Sequence, residues 1–378
     1  MRSIQDFQLF IKPVGAACNL TCSYCYYLHN PAAAPAGSVM SDHMLEVAIA
    51  RQMEAARGMV PFFTWHGGEP LLAGLPFFEK AIAIQKRLAP SGVVVQNGIQ
   101  TNGTLITREW SRFFVENQFH VGISIDGPER FHNRYRTHPP KEGSFNRVIS
   151  GYGQLLEQGV STEVLCVVHA HNVLYPLEIY RFFKTLGVRY ITFLPLVVRQ
   201  PSGAVHPSSV DPDLFGAFLC AIFDEWVSLD IGKVKVQIFE EAARTAFGQE
   251  HTLCIFRGEC GRVPVLEWNG NLYSCDHFTD SSHYLGNIEE SPLSQLLASE
   301  AQLQFGKEKS QKLPSVCRRC PVVSYCNGGC PKDRFLGSEE GEPGLNYLCE
   351  GYKLFFLHAA PFIKKVEQVW RANRPISL

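Results

Sequence analysis

The 378-residue chain has almost no net charge, no long apolar run, no internal repeat and no low-complexity tract. Lys and Arg number 35 against 36 Asp and Glu, a formal charge of -1. That balance excludes a basic field for nucleic acid and an acidic solvating tail. The opening MRSIQDFQLFIKPVG holds only a short apolar stretch, and polar, Cys-rich sequence follows it. It fits neither a signal peptide nor a membrane span. The expectation is therefore a cytoplasmic protein with no nucleic acid and no membrane among its partners. At 46% hydrophobic and 19% charged residues, the composition also excludes a disordered or fibrous chain. The length allows two domains and a large core.

What the chain does have is cysteine. Its thirteen cysteines are an odd number that cannot all pair internally, and in a reducing compartment clustered thiols point to metal. Cys18, Cys22 and Cys25 form C-x3-C-x2-C directly after a strand-like run. Iron–sulfur cubanes are usually held by four cysteines, so a cubane held by three leaves one iron open to a ligand. The competing reading is a zinc site whose fourth ligand lies elsewhere. The second group is Cys254, Cys260, Cys275, Cys317, Cys320, Cys326, Cys330 and Cys349, eight thiols or two sets of four. Such sets suit structural zinc or iron–sulfur, and the open first site favours iron–sulfur throughout. Cys166 in V-L-C-V-V and Cys220 in F-L-C-A-I read as buried core thiols.

Between about residues 7 and 230, strand-length apolar runs alternate with helical patterns. The strand candidates are 9–13, 62–65, 93–100, 121–125, 164–169 and 190–198. The helix candidates are 44–56, 77–88, 109–117, 145–158, 176–186 and 214–229, with Ser41 and Asp42 capping the first. This alternation predicts α/β architecture with a parallel sheet. Six βα units are too few for an eight-stranded barrel, so the expectation is a partial (β/α)6 barrel over 1–235. A small α+β Cys-rich domain over 236–378 should follow, where short strand signals take over and Asn269-Gly270 marks a hairpin. In such folds chemistry gathers at the C-terminal ends of the strands. There lie the three cysteines, then H-G-G-E-P at 66–70, Q-T-N-G at 100–103 and S-I-D-G-P at 124–128. Gly67 and Gly68 let backbone approach a ligand closely, and Glu69 can accept from an amine.

These residues resemble the radical S-adenosylmethionine enzymes, whose mark is C-x3-C-x2-C with an aromatic, here Tyr24, before the third cysteine. The H-G-G-E-P stretch looks like their methionine-amine site. The C-terminal half is similar to the SPASM extension. C-D-H at 275–277, C-N-G-G-C-P-K-D-R-F and G-L-N-Y-L-C are similar to the anaerobic sulfatase-maturating enzymes. The resemblance covers nearly the whole chain.

What it implies is S-adenosyl-L-methionine and three four-iron clusters. The first is held by Cys18, Cys22 and Cys25, the second by Cys254, Cys260, Cys275 and Cys330, the third by Cys317, Cys320, Cys326 and Cys349. Tyr24, Gly67, Gly68, Glu69, Ser124, Asp126, Arg136 and Val197 would form the cofactor site. The implied reaction is oxidation of a Cys or Ser side chain in an unfolded sulfatase polypeptide, within a C/S-x-P-x-R motif, to Cα-formylglycine. A flavodoxin or ferredoxin would supply electrons. Asp276 would be the base that takes the thiol or hydroxyl proton, and burial beside an anionic cluster should raise its pKa. The blander role for Asp276 is a turn cap, and for His66 a hydrogen-bonding pocket wall. A polyferredoxin would explain the cysteines but needs no barrel. A SPASM enzyme that forms thioether or carbon–carbon crosslinks in a ribosomal peptide would share every cluster, but usually carries a leader-binding domain before the first strand.

Overall fold

The computed structural model describes residues 7–29 and 37–372. Its residues divide into two compact units that do not follow chain order. The first holds Met1–Ile125, Glu129–Val164 and Gly261–Lys307, the second Asp126–Pro128, Leu165–Cys260 and Glu308–Leu378.

The six expected strands all form, as β1 (Leu9–Ile11), β2 (Phe62–Trp65), β3 (Gln96–Thr101), β4 (Phe119–Ser124), β5 (Ser161–Val168) and β6 (Tyr190–Pro195). Two of their ends fall short of the expected ones. The first strand stops at Ile11, ahead of Pro13, which has no N–H to give the ladder, and the last stops at Pro195 rather than Val198. At the third strand, Val93 and Val94 stand 37% and 64% exposed, so pairing begins only at Gln96.

In the first unit β1, β2, β3 and β4 pair parallel, with Leu9 opposite Phe63, Thr64 opposite Gly98 and Ile99 opposite Val121. Their C-terminal ends therefore share one edge. Helices α1 (Asp42–Ala55), α2 (Leu75–Leu88), α3 (Arg108–Glu116) and α4 (Phe145–Glu157) follow where periodicity places them. Ser41 caps α1 by accepting from the Met44 N–H at 3.1 Å. Packing is aromatic, with Trp65 against Phe78 at 5.4 Å, Phe78 against Trp110 at 5.5 Å and Phe114 against Phe119 at 5.4 Å.

The far edge of β1 takes a partner from late in the sequence. Strand β8 (Val265–Leu266) pairs parallel with β1, Phe10 opposite Val265, and turns back through Asn269-Gly270 into β9 (Asn271–Tyr273). The hairpin was legible, but its docking on β1 was not. Gly270 sits at φ 85°, the left-handed conformation such a turn requires. The strand β10 (Tyr284–Asn287) completes this edge.

In the second unit β6 pairs parallel with β7 (Lys235–Val236), beside helices α5 (Pro176–Thr185), α6 (Pro212–Leu229), α7 (Gln237–Ala246) and the long α9 (Cys349–Ala372). Sequence periodicity after residue 230 showed neither α7 nor α9. Helices α6 and α9 meet at two glycines. A Cβ on Gly351 would lie 2.2 Å from the Pro212 carbonyl oxygen, and one on Gly216 2.8 Å from that of Gly351. Phe223, Phe239 and Phe355 fill the adjoining core, with ring centroids 5.1 and 5.5 Å apart. Helix α8 (Glu300–Gln311) connects the units in sequence.

Of the two cysteines expected in the core, Cys166 is fully buried and Cys220 partly exposed. Cys166→Ala should lower stability by about 1 kcal/mol, the loss of one small buried group, and leave bound iron unchanged. Denaturant unfolding and iron analysis on the same preparation check both.

Candidate active site

The loop after β1 wraps closely on the loop after β2. Gly68 N–H donates to the Gly15 carbonyl at 2.9 Å and Glu69 N–H to that of Ala17 at 2.8 Å. A Cβ on Gly68 would stand 2.1 Å from the Ala17 oxygen, and one on Gly67 2.6 Å from that of Gly15. The glycines thus admit the cysteine loop itself, a reason distinct from the close approach to a ligand expected of them. Glu69, fully buried, accepts from the Leu71 N–H, the Thr101 hydroxyl and the Asn102 N–H at 3.1, 2.8 and 2.7 Å. Burial raises its pKa to about 7 against these three donors. Its carboxyl ties the loop after β2 to the loop after β3.

Asn102 reaches back to the cysteine loop, donating to Cys18 Sγ at 3.6 Å and to Asn19 Oδ1 at 2.9 Å. On the other side Thr21 and Ser23 N–H groups donate to the carbonyls of Thr137 and Tyr135. Burial pushes the Cys18 thiol up to about 12, and Glu69, Cys22 and Cys25 add to the rise. A pocket that crowds thiols beside a carboxylate disfavours bare thiolates and accommodates a cationic metal core, so the donor set fits an iron cluster. Among the described residues no three His, Cys, Asp or Glu side chains are grouped to hold a single metal ion.

Opposite this loop stands Asp276, 7% exposed. Lys12, at the end of β1, places Nζ 2.8 Å from Asp276 Oδ1 and 3.1 Å from Glu267 Oε1. Tyr26 donates to Asp276 Oδ2 at 2.5 Å, and Tyr27 donates to the same oxygen. The Tyr27 hydroxyl also lies 3.0 Å from His66 Nδ1, and the His66 ring stacks on Phe10 at 4.7 Å. Burial, the largest single influence, would raise the pKa of Asp276, but the Lys12 ammonium, its hydrogen bond and the nearby His66 and His277 rings together outweigh it and hold the carboxyl well below the usual range. This reverses the direction expected from sequence, where Lys12 was not considered. Glu267 moves oppositely, since its burial exceeds what Lys12 returns. His66 is lowered by burial, so the ring is neutral at pH 7.

The other cofactor-site candidates divide between the units. In the first, Tyr24 lies under the Arg136 guanidinium at 5.5 Å, Arg136 is 8% exposed, and Ser124 Oγ accepts from Gln100 at 3.1 Å. In the second, Asp126 is fully buried and accepts from the Val167 N–H at 3.0 Å, a backbone anchor, while Val197 is half-buried just after β6. The late cysteines divide likewise. Cys275 belongs to the first unit, beside Asp276, and the other seven to the second. Cys349, raised to about 12 by burial and then Glu350, also feels the charge of Cys317, Cys326 and Cys320, so these four stand together. Cys254, Cys260 and Cys330 are neighbours in the same sense, all three acting on Lys309.

Comparison with known proteins agrees with this geometry. The Radical SAM superfamily matches residues 13–183, and an iron–sulfur cluster-binding domain, SPASM, matches 254–321. A serine-type anaerobic sulfatase-maturating enzyme of Bacteroides thetaiotaomicron is 44% identical over 377 residues, covering 94% of this chain and 90% of its own. A cysteine-type enzyme of Clostridium perfringens is 32% identical, with 93% and 96% covered. This chain belongs to the anaerobic sulfatase-maturating family of radical SAM enzymes. A solved structure described as native anSMEcpe with bound AdoMet and Cp18Cys peptide superposes with TM-score 0.87 at 31% identity, over 96% of this chain and 99% of that one. No helix among the described residues is long and apolar enough to cross a membrane.

For a radical SAM protein, the unforeseen residues are those that surround Asp276: Lys12, Tyr26, Tyr27 and Glu267. One signal existed for Lys12, the lone charge ending an apolar strand, and one for the tyrosines, which directly follow Cys25.

Lys12→Met leaves two buried carboxylates without their cation and should cost about 3–5 kcal/mol. The pH dependence should change sign. In the wild type the depressed Asp276 contributes stability that is present above the unfolded pKa, about 3.9, and is lost only as pH falls toward the folded value. In the variant, burial raises the folded pKa, so stability is lost as pH rises through it. Urea unfolding at pH 5 and pH 8 distinguishes the two, with the variant weaker at pH 8.

Proposed function

We propose that this protein oxidises a Cys or Ser side chain of a sulfatase polypeptide, in a C/S-x-P-x-R motif, to Cα-formylglycine. The observation that carries the reading is Asp276: a buried carboxylate kept ionised by Lys12 and two tyrosines, next to Cys275 and in one unit with the Cys18–Cys25 loop. The relatives carry the same named activity, and one was solved with AdoMet and a peptide bound.

The atoms balance as follows. Converting CH2–XH to an aldehyde or thioaldehyde removes two hydrogens, as one hydrogen atom from Cβ, one proton from X–H and one electron. Bound S-adenosylmethionine and its cluster supply the hydrogen-abstracting radical. Asp276 would take the proton, and an auxiliary cluster, when bound, would supply the acceptor for the electron. Thioaldehyde from a Cys target then exchanges sulfur for oxygen from water.

Cys18, Cys22 and Cys25 hold the cluster that binds S-adenosylmethionine in this reading. Cys254, Cys260, Cys275 and Cys330 hold the first auxiliary cluster, and Cys317, Cys320, Cys326 and Cys349 the second. Tyr24, Gly67, Gly68, Glu69, Ser124, Asp126, Arg136 and Val197 contact or position the cofactor. Residues 1–235 carry initiation and 236–378 the auxiliary clusters. An unfolded substrate and a flavodoxin- or ferredoxin-type donor are its partners, in the cytoplasm.

Anaerobic reaction with C-x-P-x-R and S-x-P-x-R peptides should give a carbonyl at the first position by mass spectrometry. A crosslink in its place would transfer the protein to the peptide-crosslinking SPASM enzymes. Reconstituted protein should hold about twelve irons, three cubanes of four, and a Cys18, Cys22, Cys25 to Ala triple variant should make no 5'-deoxyadenosine.

Asp276→Asn keeps shape and hydrogen bonding but cannot accept the proton. Formylglycine should fall by about a hundredfold or more while 5'-deoxyadenosine continues to form. Aldehyde at the wild-type rate with intact clusters would make Asp276 a structural residue.

A further inference from the structure

The buried cations of the second unit fall unevenly around its cysteines. Lys309, 1% exposed, donates from Nζ to the carbonyl oxygens of Cys254 and Ile255 at 2.8 and 2.9 Å. The thiols whose charge acts on it are those of Cys260, Cys254 and Cys330. Arg257 adds positive charge at Cys254. At Cys330 the opposing Asp333 carboxylate is paired with Lys332 at 2.6 Å.

Around the other four thiols the balance differs. Cys349 has Glu350 as the strongest charge acting on it, followed by its own partner cysteines. Arg334 is common to both groups. Its guanidinium donates to the carbonyls of Lys309, Asn327 and Gly328 at 2.5, 2.7 and 2.8 Å, and it acts on Cys260 and Cys330 as well as on Cys317 and Cys326. An arginine always carries its charge, so Arg334 adds the same sign to both sets. Of the cations that act on the first set, Arg257 and Lys332 are only half-buried, so Lys309 is the fully buried one.

An electron added to a thiolate-held cluster increases its negative charge, so a fixed cation beside it favours the reduced form and raises the potential. We propose that Lys309 makes the cluster bound by Cys254, Cys260 and Cys330 the higher-potential member of the auxiliary pair. That cluster, when bound, would be the favoured acceptor for the electron released with the substrate's proton. Lys309 is a positioning residue, acting through its charge on the cluster and not on substrate. The inference rests on the ligand sets proposed above.

The test is an EPR-monitored redox titration of the anaerobically reconstituted full chain, alongside iron analysis, for wild type, Lys309→Met and Lys309→Arg. Lys309→Met should keep its iron and lower the higher auxiliary midpoint by about 59 mV, a tenfold change in a one-electron equilibrium. The lower midpoint should stay where it is, and Lys309→Arg should hold both. An unmoved higher midpoint, or an equal fall in both, overturns the inference. Should Lys309→Met lose iron, Lys309→Arg decides: iron and midpoints retained support the role of charge, and iron lost overturns it. Wild-type protein with only about four irons, one cubane, would overturn the ligand sets and this inference together, whereas full iron with unmoved midpoints overturns this inference alone.

Discussion

A single buried ammonium governs the reactive edge of the first unit. Lys12 is 1% exposed and has two carboxylates, Asp276 and Glu267, within 3.1 Å. An ammonium taken out of water costs several kcal/mol unless it is paired and hydrogen-bonded. The segment 265–276, which carries both carboxylates, is therefore favoured along β1, and the parallel pairing of Phe10 with Val265 gives it that position. The strand contact and the ion pair support one another. Neither the two-residue strand β8 nor a lone salt bridge would fix the placement as firmly. Once the hairpin is docked, the turn after β9 delivers Cys275 and Asp276 beside the tyrosines that follow Cys25.

The second constraint is steric. The first cysteine loop has to pass within hydrogen-bond distance of the loop after β2, and only glycine leaves room, since any Cβ at 67 or 68 would collide with backbone oxygens. Glu69 then closes the arrangement from below by binding the loop after β3. Burial raises its own pKa to about 7 even with those hydrogen bonds in place. Three loops from three parallel strands are thus joined by backbone and carboxylate contacts before any cofactor is considered. Such preorganisation is what a site needs if it is to hold a reactive species away from water.

Much of this was legible because it is local. Period-2 and period-3.6 patterns placed six strands and six helices, Ser41 announced a cap it does provide, and Asn269-Gly270 announced a turn. The spacing of the cysteines suggested clusters because thiolate ligands need little else nearby in sequence. What sequence concealed are contacts between distant segments. Tyr27 and Asp276 are 249 positions apart, and Lys12 and Glu267 are 255 apart. No periodicity links such pairs. The error about Asp276 has the same origin: burial and like charge were visible in the sequence, and Lys12, the cation that contributes most against them, lies at the other end of the chain. The helix α9 went unread for another reason. It begins at a presumed metal ligand, Cys349, and contains Pro361, both of which suggest irregular structure.

Under the proposed reaction, the opposite displacement of Asp276 and Glu267 bears on how one cation would support proton transfer. Lys12 sits nearer Asp276 and keeps it ionised, while Glu267 has the raised pKa and the weaker hold. In the proposed reaction, Asp276 stops neutralising Lys12 once it takes the proton. Glu267 remains within 3.1 Å of the same ammonium, so the positive charge is not left stranded in a dry site. The cost of neutralising the base is thereby shared between two carboxylates. The Tyr27 hydroxyl touches both Asp276 and the Nδ1 of a neutral His66. These contacts place the His66 ring one hydroxyl away from the carboxylate. In the proposed reaction the proton and the electron would thus leave the substrate by separate paths, the proton's through Asp276 in the first unit.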